Sequence, residues 1–382
     1  MLSIKIFFQS RKFFAPAFLY TCFSLIFSTW VTYIPYIAEK INITEGKIGG
    51  AIFFSSLGSF FMIPITNRLV DKIGVGRYAF YAFILYTFAL INIFLAKNYA
   101  MLCAALFCLG FCSCAFAISL NSLTATIEKR AGKYIMTGSH GFWSIGGIIG
   151  ASTGSFLAGL LKMPLLHVSL LVVVLLSVHI WLRKEYYDIR TEAVEKEKYK
   201  KFPFKPLLAI ASIGLIMMVS EGAIADWSAL YLKKITQVKV QYIGLGYALF
   251  AVGMTIGRFN GDALSNRIGS WKLLRLAIGT SLAGFTLVLL TFSVTAFIGF
   301  FIIGLGFSII VPEIYRLAST IKGVKTADGV SFIAATANIG FMTGPVLLGF
   351  IAELHSLHLS FIVLTCFVLL AFVMAIIRAK AA

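Results

Sequence analysis

The chain has 382 residues, 59% hydrophobic and 13% charged, and the low charged fraction excludes an ordinary soluble domain, in which about a quarter of residues are charged. The formal net charge of +18 would suggest a nucleic-acid partner in a soluble protein. Here the Lys and Arg residues fall between apolar runs and not on one face, which sets nucleic acid aside and leaves a polytopic membrane protein.

The first apolar run starts near Phe13 and passes Trp30 to Ala38 without a small-residue cleavage site, so it is expected to stay as the first span. A hydrocarbon core of ~30 Å needs about 20 apolar residues per helix. Runs of that length predict helices over 13–38, 48–67, 78–96, 100–124, 138–161 and 164–182, then 206–232, 242–262, 272–292, 295–316, 328–352 and 356–378. The fold expected is therefore an all-α membrane protein of twelve transmembrane helices. Residues 1–182 form one six-helix half, 183–205 a cytoplasmic linker and 206–382 the second half. The linker alternates sign through Glu192, Glu195, Lys196, Glu197, Lys198, Lys200 and Lys201, and so reads as a solvated connection with some helix. Most of the 33 basic residues, Arg68, Lys72, Arg77, Lys129, Arg130, Lys133 and the linker lysines among them, lie on the same side as the N-terminus. Positive-inside bias puts both termini in the cytoplasm. The six cysteines all fall in apolar runs without a C-x-x-C pair, so they read as small packing residues and not as metal ligands or disulfide partners.

The two halves repeat each other. A shift of 195 residues lays Ile48-Gly49 on Ile243-Gly244, Gly58 on Gly253, Leu69 on Leu264, Lys72 on Arg267 and Gly74 on Gly269. A shift of 194 lays Gly146 and Gly150 on Gly340 and Gly344. Two halves in the same topology imply pseudo-symmetry about an axis along the membrane normal, with binding near the midplane between them.

The seventh run carries two carboxyls, Glu221 and Asp226, where its other residues are hydrocarbon. An ionisable group within a span costs roughly 2.5 to 3.5 kcal/mol on insertion scales, so it is a functional candidate by default. At ~1.5 Å per residue, Glu221 lies ~16 Å from the outer end near Leu232, about the midplane, whereas Asp226 lies only ~9 Å in. Five steps of ~100° put the two about 140° apart, so both face one cavity only if Gly222 breaks the helix. Glu221 is expected to couple protons or bind solute, and Asp226 to anchor a neighbouring helix or the outer gate.

The loop Asn67-Arg68-Leu69-Val70-Asp71-Lys72-Ile73-Gly74-Val75-Gly76-Arg77 resembles the G-x-L-x-D-R-x-G-R signature of the major facilitator superfamily, with Asn67 in place of its first glycine. The second copy, Gly261-Asp262-Ala263-Leu264-Ser265-Asn266-Arg267-Ile268-Gly269, carries Asn266 where Asp71 stands. Segments 121–128, Ser139 to Gly147, 221–232 and 340–353 look like the fucose-permease-like bacterial group of that superfamily. The resemblance implies the major facilitator fold, two pseudo-symmetric halves that rock, and proton-coupled sugar uptake. That group often carries an acid four residues before its fourth-span asparagine. Ala117 stands there in this chain, which leaves the seventh span as the acidic candidate.

Further candidates follow from residue type and depth. Asn121 both donates and accepts, and Trp30 and Trp227 offer ring faces to a solute, while Trp30, Tyr33 and Tyr36 also suit an interfacial aromatic belt. Asp71, Arg77, Arg258, Asp262 and Arg267 suit a cytoplasmic latch between halves, Arg258 and Asp262 being four apart on one helix face. Glu313 and Arg316, three apart, can form a gating pair, and His140 can bias a gate by protonation. No nucleophile elbow, phosphate loop or H-E-x-x-H is visible, so the chain is not expected to be an enzyme. The reading is a secondary transporter of a small polar solute in a bacterial inner membrane. Its expected partners are solute, protons and bilayer, and it is expected to act as a monomer without cofactor or metal. Proton-driven drug or metabolite efflux is the alternative within transport, and a non-transporting membrane sensor the alternative outside it.

Overall fold

A computed structural model describes residues 7–132, 135–161, 163–190, 207–319, 321 and 326–381. Twelve long α-helices carry the described chain. In the first half they are α1 (Arg11–Lys40), α2 (Glu45–Ile73), α3 (Val75–Leu95), α4 (Tyr99–Ala131), α5 (Met136–Leu161) and α6 (Pro164–Leu182). In the second they are α7 (Leu208–Lys234), α8 (Leu245–Ile268), α9 (Ser270–Leu289), α10 (Ser293–Ser319), α11 (Thr326–Leu354) and α12 (Leu357–Ala381). Each overlaps one apolar run of the sequence, and several extend beyond it by a turn or more because the helix continues past the apolar stretch. Eleven helices among the described residues are long and apolar enough to cross a membrane. The glycine-rich α5 is the remaining long helix, at 26 residues.

Helix ends are set by side chains at hand. Asn98 caps α4 by accepting from the Met101 amide at 2.9 Å. The Glu128 carboxylate accepts from the amides of Ile135 and Met136 at 2.7 and 2.8 Å, satisfying donors at the start of α5, where a negative charge also meets the helix dipole. Gly74 and Gly269, which join α2 to α3 and α8 to α9, both adopt positive φ, 89° and 81°, a conformation that costs other residues more than glycine. These are equivalent residues of the two motif copies.

The chain forms two compact units, Met1–Ile43 with Ala51–Glu195, and Thr44–Gly50 with Lys196–Ala382. Within the first, α1 packs on α5 and α3 on both α4 and α6; within the second, α7 packs on α11 and α10 on α8 and α9. The repeat is legible in these contacts. Gly146 lets α5 approach the Thr21 carbonyl of α1, and Gly340 lets α11 approach the Leu215 carbonyl of α7. Gly110 meets Ser55 as Gly304 meets Phe250. Tyr33 bonds Nδ1 of His167 at 3.0 Å in one unit, and Tyr231 bonds Nδ1 of His358 at 3.1 Å in the other.

Three expectations are corrected. The described start of the linker is only partly solvated: Arg183, Lys184, Asp188 and Arg190 are exposed, but Tyr186 and Ile189 are buried and the Gly76 amide donates to the Ile189 carbonyl at 3.0 Å. Apolar side chains within the charged stretch hold residues 183–190 against α3; the sign-alternating run from Glu192 to Lys201 lies outside the described residues. Trp30 and Tyr33 are buried and not a peripheral belt, whereas Tyr36 is exposed, since α1 is buried along most of its length. Cys108 and Cys366 are exposed, unlike the packed Cys22 and Cys103.

Candidate functional site

In the first unit α1, α4 and α5 bring polar groups to one place. The Tyr20 hydroxyl donates to Oδ1 of Asn121 at 2.5 Å, and the Asn121 amide nitrogen donates to the Ala117 carbonyl at 2.9 Å. His140 Nε2 lies 3.5 Å from the same hydroxyl, with the two rings 4.7 Å apart. Since the Tyr20 hydrogen is committed to Asn121, its oxygen is left to accept from His140. Tyr20 is buried, while Asn121 and His140 are exposed. The phenol thus fixes the amide from behind, and these two bonds leave one amide hydrogen and an oxygen lone pair of Asn121 unused. Trp143 stands near by on α5, edge-on to Phe23 at 4.5 Å and stacked with Phe27 at 6.4 Å. Tyr20 gave no signal in the sequence: it is an aromatic residue in an apolar run, 101 positions from its partner.

In the second unit α7 is unbroken through Gly222, which is buried against Phe341 of α11. Glu221 is partly exposed, and Asp226 and Trp227 are buried. Arg258 of α8 lies within electrostatic range of Glu221, and Tyr247 of the same helix within range of Glu221, Arg258 and Asp226. An intact helix therefore still lets both acids influence one tyrosine, because Tyr247 comes from the neighbouring helix. Trp227 is wholly enclosed and offers no ring face to a solute, and its Nε1 has no hydrogen-bond partner among the described residues. Trp30 is likewise buried.

The expected gating residues are more dispersed. Arg316 Nη1 pairs with Glu313 Oε1 at 2.6 Å, and Ser265 completes a triangle by donating to Glu313 Oε2 at 3.1 Å and accepting from Arg316. Glu313 is buried there, so its charge is balanced where water is scarce. Ser265 was not singled out in the sequence, although it sits in the second motif copy. Arg77 pairs with Asp188 at 3.1 Å in the first unit. Asp71 and Arg267 are exposed, and the Asp262 side chain lies outside the described residues. At the start of α2, within the second unit, Thr44 donates to Glu353 at 2.8 Å and Lys234 to Glu45 at 2.5 Å. Among the described residues no group of three or more His, Cys, Asp or Glu side chains is arranged to hold a metal ion.

Residues 16–327 match the Major Facilitator Superfamily. The chain is 28% identical over 338 residues to an uncharacterized MFS-type transporter of Yersinia pestis, covering 87% of both. Its fold resembles that of the nucleoside transporter NupG, with a TM-score of 0.73 at 13% identity and coverage of 97% and 99% of the two chains. A bacterial homologue of the human lysosomal transporter Spinster aligns with a TM-score of 0.70 at 14% identity, over 97% of each chain. With most of its length inside the family match, the chain belongs to the Major Facilitator Superfamily and is a multi-pass membrane transporter, not an enzyme.

Proposed function

We propose that the protein is a proton-coupled secondary transporter of a small, polar, ring-bearing solute, working by alternating access in a bacterial inner membrane with both termini cytoplasmic. The observation that carries this reading is Glu221, a partly exposed carboxyl midway along a 27-residue apolar helix and under the influence of Arg258. Proton loading of Glu221 releases the attraction to Arg258, and solute occupancy competes for the same groups; either event alters how α7 and α8 are held. The Tyr20–Asn121–His140 cluster, with Trp143 beside it, supplies hydrogen bonds and a ring face. That combination suits sugars, as the likeness to fucose-permease-like carriers suggests, and equally the nucleosides that NupG carries.

A thermal-shift screen of sugars and nucleosides against the purified protein should identify a ligand that raises its apparent stability. Flux of that ligand into proteoliposomes under an imposed pH gradient then tests the mechanism. Glu221→Gln should abolish gradient-driven uptake while the protein elutes and unfolds as the native one does. Undiminished gradient-driven uptake in that variant would refute the role of Glu221. Binding without any flux would replace the transporter mechanism with a sensor.

A further inference from the structure

The turn that follows α6 gathers cations and aromatic rings, of which only Arg77 belongs to the expected latch. Tyr187 carries two guanidinium groups on its ring, Arg183 at 4.3 Å and Arg77 at 5.4 Å from the centroid. Arg183 also lies 5.6 Å from the ring of Phe80. Stacking on aromatic faces holds each guanidinium plane in place and leaves its N–H edges available to an anion. Asp188 pairs with Arg77 at 3.1 Å and so balances one of the two charges. The Tyr81 and Tyr187 hydroxyls are 3.1 Å apart; whichever accepts from the other keeps its own hydrogen to donate outward. The cluster thus has an excess positive charge and at least one oriented neutral donor, at the end of a membrane span.

Apolar surface begins at the same place. Tyr81, Leu85 and Phe88 share one face of α3 and are 49%, 58% and 50% exposed, a strip running from the arginines toward the middle of the span. A free anion would use only the cationic end of this surface. An anionic amphiphile uses both, its phosphate on the arginines and an acyl chain along the strip.

We propose that Arg183, Arg77, Tyr81 and Tyr187 form a binding site for the phosphate of an anionic phospholipid, with Leu85 and Phe88 lining the path of an acyl chain. The site lies wholly in the first unit and shares no residue with the Glu221 and Asn121 clusters.

Titration of acyl-labelled phosphatidylglycerol into the full-length protein in neutral detergent tests this. Arg183→Gln should weaken binding about fivefold, the effect of removing one basic contact near a lipid headgroup. Tyr81→Phe should cause a smaller loss, and Lys239→Gln, an exposed charge in the other unit, should cause none. Unlabelled phosphatidylglycerol should displace the probe, whereas phosphatidylcholine or inorganic phosphate at the same concentration should not. Affinity that is the same in native protein, Arg183→Gln and Tyr81→Phe overturns the site. Equal displacement by phosphatidylcholine overturns the anionic specificity, and equal displacement by inorganic phosphate overturns the lipid as occupant. Elution and unfolding temperature in lipid-free detergent establish that each variant is folded before it is scored.

Discussion

Ser228, two residues after Asp226, is fully buried, yet its hydroxyl has no hydrogen-bond partner among the described residues. A buried hydroxyl without a partner costs roughly 1 to 3 kcal/mol, so Ser228→Ala should raise stability by about 1 kcal/mol, read as a higher unfolding temperature in detergent. The opposite is expected at Arg316. Removing it leaves the buried Glu313 with only the Ser265 hydroxyl among the described residues, and because Arg316 is itself 39% exposed the loss should be about 1–3 kcal/mol, below that for a wholly buried pair. Arg316→Ala should accordingly unfold at lower temperature. At this scale the sequence showed Glu221, Asn121 and the Glu313–Arg316 spacing, because charge or amide in an apolar run is conspicuous in one dimension. Tyr20, Tyr247 and Ser265 were not legible. Their chemistry depends on neighbours from other helices, and nothing within a few positions of them marks the partner.

Helix pairs in both units are spaced by glycine, but not every glycine is constrained alike. A Cβ on Gly340 would collide with the Leu215 carbonyl of α7, whereas one on Gly261 would meet only Cγ1 of Ile309 at 3.5 Å, an ordinary contact. Gly340→Ala should therefore cost about 1–3 kcal/mol through overpacking against backbone, which cannot swing aside. Gly261→Ala should be neutral or stabilising by roughly 0.5–1 kcal/mol, since alanine favours the helix. Thermal unfolding of the two variants side by side checks the contrast; equal losses would show that the close approach of α7 and α11 does not govern the difference. Family motifs alone would rank these glycines the other way, because Gly261 belongs to the signature loop.

For the molecule as a whole, coupling to protons predicts that a protonophore collapses gradient-driven solute accumulation to the level set by passive exchange, measured in the same proteoliposomes. Accumulation that survives the protonophore would show another driving force. The amino-acid order by itself determined that this is a membrane protein of twelve long helices in two repeated halves. Hydrocarbon must be crossed by some 20 apolar residues at a time, and a duplicated chain keeps its glycines and turns in register. It also marked the carboxyl at mid-span. Only the tertiary structure decided which groups meet: that Tyr20 braces Asn121, that Ser265 joins Glu313 and Arg316, that Trp227 is buried, and that residues 183–190 fold back onto α3. The reason is physical. Periodicity and hydropathy are properties of one helix and its solvent, whereas a site is made where side chains from several helices converge, and the rotation and close approach of those helices follow from packing that no single segment encodes.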